Sequence, residues 1–190
     1  MMKLTSETSL LTAVRKNEQI ARILRKDKKW GFDYSWSRFI LGMLCLGSQA
    51  YGARIENRII SEWGGAIKRK NYETGDFLFN DKIYEVKSSI LRHDQSFVNL
   101  VQLRPYEKCD FFIINVFDVR LLCDGENEEV LYYKFLLSKE EMEEEMDLIK
   151  AGNAHGKNND RNKNKEYRMS FDLNDEDPNT IRWVEKYQIA

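Results

Sequence analysis

Histidine is nearly absent: the 190 residues hold two, His93 and His155. Chemistry built on paired histidines, or on a histidine base with further ligands in one tight hairpin, is therefore not expected. Cysteine is scarce as well. Cys45, Cys109 and Cys123 are an odd number, widely spaced, with no CxxC pair. They fit buried thiols of a reducing compartment better than a disulfide framework or a structural zinc site. Net charge is small, with 30 Lys+Arg against 31 Asp+Glu. That excludes a strongly basic arm protein, although a balanced total can hide a basic cleft beside an acidic helix. No GxxxxGK[ST] loop is present, so the chain alone is no nucleotide-driven motor. The start, MMKLTSETSLL, has no cationic segment leading into an apolar core, and secretion is not expected. The longest mostly apolar run, Phe39 to Gly47, falls far short of the roughly 20 residues that span a bilayer. The expectation is a soluble cytoplasmic protein with no membrane partner.

What is present suits a globular fold. Hydrophobic residues make up 42% and aromatics 12%. The length fits one domain over residues 1–190, large enough to bury roughly 70% of its unfolded surface without covalent staples. Residues 15–29 carry seven basic against two acidic side chains, interleaved with Ala21 and Leu24 at helical spacing. An apolar helix follows from about Ser35 through Leu46, stopped by Gly47, and a third from about Gln49 to Trp63, ended by Gly64-Gly65. Residues 1–65 are thus expected to be helical.

Residues 66–136 change character. Phe77-Leu78-Phe79 and Lys82 to Lys87 flank Asn80-Asp81, a two-residue hairpin turn whose residues tolerate left-handed conformations. Asp110 to Val119 reads as a central strand covered on both faces, and Val130 to Leu136 as another. Within 137–190, Ser138 and Glu141 form a capping box opening an acidic helix. A polar loop, 151–166, precedes a strand from Tyr167 to Leu173 and a short helix opened by Asp177-Pro178. The fold class is α/β, with a mixed central β-sheet flanked by helices.

Asp76, Glu85 and Lys87 form the constellation with chemical content. With Asn80-Asp81 as the turn, Asp76 falls directly opposite Glu85, and Lys87 shares the face of Glu85. Like charges at opposed positions destabilise a hairpin. A divalent cation between the carboxylates converts that repulsion into ligation, with Lys87 beside it to supply positive charge or to position a water. The alternative is a solvated hairpin face carrying an ordinary Glu–Lys pair.

The segment TGDFLFNDKIYEVKSS resembles the core motif of the PD-(D/E)XK nuclease superfamily, an acid opening one strand and acid-x-Lys ending the next. Asp76, Glu85 and Lys87 match the motif, and Gly75 stands where the name-giving motif has Pro. The resemblance implies a restriction-endonuclease-like core and catalytic roles for Asp76, Glu85 and Lys87. It implies Mg²⁺ as cofactor, with Mn²⁺ as a substitute, held at Asp76, Glu85 and Val86. Glu56, in GARIENRIISEW, stands where many such nucleases supply an extra carboxylate from a helix. It is otherwise a surface glutamate pairing with Arg58 or a later basic residue. Glu62 is its substitute.

Gln102-Leu-Arg-Pro-Tyr106 matches the Gln-x-x-x-Tyr motif of the RecB-like exonuclease branch. It makes Gln102, Arg104 and Tyr106 expected substrate contacts, unless they are polar residues preceding a buried strand. LSKEEMEEEMDLIKAGNAHGKNND resembles the carboxy-terminal half of several restriction enzymes. By that resemblance His155, Lys157, Asn158, Asn159 and Arg161 face DNA. Asn can pair bidentately with adenine, and Lys or Arg with guanine. Together these features imply a sequence-specific, type II restriction-like endonuclease acting on double-stranded DNA as a homodimer. A cognate DNA methyltransferase would be its genetic rather than physical partner. Another nuclease role on this fold, as a phage exonuclease or a repair or nicking enzyme, remains open, as does a non-catalytic DNA-binding module.

Overall fold

The strand sequence Phe111–Asp118 (FFIINVFD) is apolar on both faces, so it can only lie inside a sheet with cover above and below. The computed structural model describes residues 26–69 (except 28, 30, 45 and 47), 74–92, 97–104, 108–120, 130–153 and 166–189. In chain order the elements are α1 (Trp36–Met43), α2 (Ser48–Glu62), β1 (Ile67–Lys68), β2 (Phe77–Phe79), β3 (Lys82–Leu91), β4 (Phe97–Leu103), β5 (Phe111–Asp118), β6 (Leu131–Ser138), α3 (Lys139–Leu148), β7 (Gly152–Asn153), β8 (Tyr167–Asp172) and α4 (Pro178–Tyr187).

The fold is α/β. Five strands in the order β1-β2-β3-β5-β6 form a mixed central sheet, in which β3 and β5 run parallel and the other neighbours antiparallel. Strands β4-β8-β7 form a second, antiparallel sheet. On one face of the central sheet, Tyr84, Val86, Ile90, Ile113 and Phe117 pack against Phe39, Ile40 and Met43 of α1 and Ile55 and Ile59 of α2. On the other, Phe112, Ile114, Val116, Phe135 and Leu137 meet Met142 and Met146 of α3, Trp183 of α4, and Val98, Met169 and Phe171 of the second sheet. Alternation along β3 and β5 places successive side chains in opposite cores.

Local chemistry sets most element ends. Ser35 caps α1 by accepting from the Arg38 N–H. Helix α1 ends at Met43, three residues short of the expected Leu46, with Leu44 as its C-cap. Ser138 and Glu141 make the expected capping box on α3. Asp177 caps α4 ahead of Pro178. Asn80 and Asp81 both adopt left-handed φ, +48° and +59°, as a two-residue turn of this hand requires. Glu145 is buried and pins α3 to α4, accepting from Arg182 Nε and Nη2, Trp183 Nε1 and Tyr187 Oη. With four donors on one carboxylate, its charge is stabilised despite burial, and its pKa lies below the usual carboxylate range. Among the described residues, no helix is long and apolar enough to cross a membrane.

Candidate active site

Strand β2 has three residues and its partner β3 has ten, so most of that edge of β3 extends beyond the hairpin. Pairing follows the expected register through Phe77 opposite Tyr84. There it departs from expectation. The Asp76 N–H donates to the Tyr84 carbonyl at 2.8 Å, although Tyr84 already faces Phe77, so two successive residues share one partner. Asp76 is therefore not placed squarely opposite Glu85. Gly75 makes this possible with φ +69°, and a Cβ there would lie 2.7 Å from Ile83 Cγ2 and 2.9 Å from the Tyr84 carbonyl oxygen. Both the conformation and the close approach demand glycine.

The bulge carries the Asp76 carboxylate across the end of the hairpin. Its Oδ2 accepts from the Val86 main-chain N–H at 2.8 Å. Left without a partner, that N–H would cost about 1–3 kcal/mol. The Val86 side chain packs in the core beneath α1 and α2. Glu85 and Lys87 project to the opposite face of β3, where Lys87 Nζ donates to Glu85 Oε1 at 2.5 Å. Glu85 is only 4% exposed, so this is a desolvated pair rather than a solvated surface one.

Asp76 has its pKa pushed up to about 7. Burial is the main cause, followed by the negative charges of Glu85 and Glu56; the Val86 hydrogen bond and Lys87 oppose it. Glu56 thus belongs electrostatically to the group, as its helix position suggests. It is also held by a later lysine, since Lys68 Nζ donates at 2.5 Å to both Glu56 Oε1 and Asn57 Oδ1. Glu62 pairs with Arg58 instead.

The donor chemistry fits a hard cation. Mg²⁺ commonly takes one or two carboxylates and completes its shell with water. Two buried, mutually repelling carboxylates have an electrostatic reason to accept one. No group of three or more His, Cys, Asp or Glu among the described residues is arranged to hold a metal by itself. Glu56 and Glu85 are each in contact with a lysine, so an ion shared by Asp76 and Glu85 would have to displace the Lys87 ammonium from Glu85.

Sequence reasoning missed Asn115. It is fully buried on β5 opposite Ser88, and its Nδ2 donates to the Lys87 carbonyl at 3.4 Å while its Oδ1 accepts from Tyr132 Oη at 2.6 Å. The signal was one uncharged polar residue interrupting DFFIINVFDV. Ser89 was also missed; its Oγ accepts from the Asn99 N–H at 3.0 Å, tying the second sheet to β3.

Of the remaining expected residues, Gln102 and Arg104 are described, and they lie on and beside β4 of the second sheet rather than on the β2–β3 hairpin. Gln102 is exposed on β4 with φ +56°, within a register shift between Leu100 and Leu103. Arg104 donates through Nε and Nη2 to Glu166 Oε1 at 2.9 and 2.7 Å, an ion pair shielded from solvent. That contact favours the reading of Arg104 as a packing residue. Tyr106, His155, Lys157, Asn158, Asn159 and Arg161 lie outside the described residues, as does most of the expected basic helix. No protein family, curated protein or solved structure matches the chain.

Proposed function

We propose that the chain is a Mg²⁺-dependent DNA endonuclease with a restriction-endonuclease-like core, similar to type II restriction enzymes and acting on double-stranded DNA as a homodimer. The observation carrying this reading is the convergence of Asp76, Glu85 and Lys87 at the open end of the β2–β3 hairpin, with Asp76 fixed by the Val86 N–H. Such a carboxylate pair is unfavourable for stability alone and useful for holding a cation against a phosphodiester.

Asp76 and Glu85 would hold the ion. When bound, it supplies Lewis-acid stabilisation of the phosphodiester and activates a water for in-line attack. Asp76 is held rigidly by its main-chain hydrogen bond, so its carboxylate needs little reorganisation to ligate. Lys87 extends from the same face as Glu85, where its ammonium offsets charge that develops on the phosphoryl oxygens. Asn115 braces the Lys87 main chain from the opposite face of the sheet. Glu56 adds negative charge from α2 without being freed from Lys68.

Supercoiled plasmid incubated with the full chain in Mg²⁺, and separately in EDTA, tests the reading. Discrete fragments in Mg²⁺ alone are expected. The same plasmid linearised beforehand separates the alternatives: shortening of the linear DNA with the circles intact would assign an exonuclease, and no change in either would leave DNA binding without catalysis.

A further inference from the structure

Asn99 stands where the second sheet meets the strand that carries Glu85 and Lys87. Its main-chain N–H donates to Ser89 Oγ at 3.0 Å. Ser89 lies two residues beyond Lys87 on the same face of β3, about 7 Å along the strand. Val98 and Leu100 are buried in the core, so alternation turns the Asn99 side chain to the outer face of the second sheet. There its Oδ1 accepts from Arg168 Nε at 2.6 Å and from Ser170 Oγ at 3.4 Å, both on β8. A guanidinium carries only donors, so this contact fixes the amide, with its oxygen toward Arg168 and both N–H groups of Nδ2 directed elsewhere.

Arg168 is exposed, and no acid pairs with it among the described residues. Arg104, the other arginine at this sheet, has its charge met by Glu166. Arg168 is held instead by a neutral amide, which sets the direction of the guanidinium and leaves its charge uncompensated. Arg168 Nη1 and Nη2 and Asn99 Nδ2 thus form a group of donors without acceptors, tied through Asn99 and Ser89 to the strand of Lys87. A phosphodiester is its complement, an anion whose oxygens only accept.

We propose that Arg168, oriented by Asn99, binds the phosphate backbone of the DNA substrate within a few nucleotides of the scissile bond. This rests on the reading of the chain as a nuclease acting on DNA. Phosphates of one strand recur about every 3.4 Å along the helix axis, so the path from Lys87 through Ser89 and Asn99 to Arg168 spans only a few of them. Arg168 is on this account a substrate-binding residue and Asn99 a positioning residue.

Fluorescence anisotropy of the full chain in Ca²⁺, on two duplexes of unrelated sequence and between about 50 and 200 mM salt, is the test. The proteins are the wild type, Arg168→Gln, Asn99→Asp and, as a control that removes a charge from α4, Lys186→Gln, with thermal melting to establish that each is folded. Arg168→Gln is expected to bind both duplexes several-fold more weakly, with the slope of log K against log salt shallower by about 0.9 for each subunit on the DNA. Asn99→Asp places a carboxylate on the guanidinium and should flatten the slope equally, whereas Lys186→Gln keeps the wild-type slope. A folded Arg168→Gln or Asn99→Asp protein with the wild-type slope overturns the inference and leaves the DNA reading intact. So does a loss confined to one duplex, which would make Arg168 a base contact, and so does an equal change in Lys186→Gln. If Arg168→Gln does not fold, Asn99→Asp decides alone. A wild type that binds neither duplex overturns the DNA reading itself, and the inference with it.

Discussion

The Asp76 carboxylate and the Val86 main-chain N–H are joined at 2.8 Å across the end of the β2–β3 hairpin. This bond holds an acid beside Glu85, where burial and two neighbouring acids raise its pKa to about 7. The arrangement has direct consequences for stability, for backbone geometry and for catalysis.

Stability without metal should depend on pH in an unusual direction. An acid whose folded pKa is raised binds more protons folded than unfolded, so its ionisation weakens the fold as pH climbs. For Asp76 the loss runs from about pH 3.8 to about 7 and is complete above that. Asp76→Asn keeps an oxygen acceptor for Val86 and removes the charge. Melting temperatures in EDTA at pH 5, 6 and 8 should therefore fall less with pH in the variant than in the wild type. Parallel curves would mean that Asp76 carries no such burden.

Gly75 should resist replacement, including by the proline found in the motif the segment resembles. Its φ of +69° is closed to proline, whose ring fixes φ near −65°. In alanine the new Cβ would meet the Tyr84 carbonyl. Urea unfolding should show Gly75→Ala destabilised by about 1–3 kcal/mol, with Gly75→Pro worse. A Gly75→Pro protein of unchanged stability would remove the bulge from the account.

Lys87 should matter to cleavage more than to binding. Lys87→Ala removes a charge that acts on the developing transition state without removing a metal ligand. Cleavage is expected to fall about 10²–10³-fold, while affinity for duplex DNA in Ca²⁺ stays within a few-fold. Fluorescence anisotropy and single-turnover cleavage on the same preparation separate the two. Parallel loss would make Lys87 a phosphate anchor.

Legibility in the sequence followed the range of the interactions. The Asn80-Asp81 turn, the Ser138–Glu141 capping box and the Asp177 cap are set by residues within a few positions of one another, and the structure has all three. Burial of Phe111–Asp118 on both faces was legible from its unbroken apolar run. The second sheet was not, because Asn99 pairs with Ser170 across a long stretch of chain and neither strand announces its partner. The same holds for Arg104 with Glu166 and for Lys68 with Glu56. At the site itself the alternation rule placed Glu85 and Lys87 together correctly. It misplaced Asp76 by one pairing step, because a left-handed Gly75 breaks the ladder that the rule assumes.

Cleavage of plasmid DNA by Asp76→Asn beside the wild type, in Mg²⁺ at pH 8, asks whether cutting needs the Asp76 carboxylate. Discrete wild-type fragments are expected, with no cutting by a variant that is folded and melts no lower than the wild type without metal. Cutting at the wild-type rate by a folded Asp76→Asn protein would contradict that expectation.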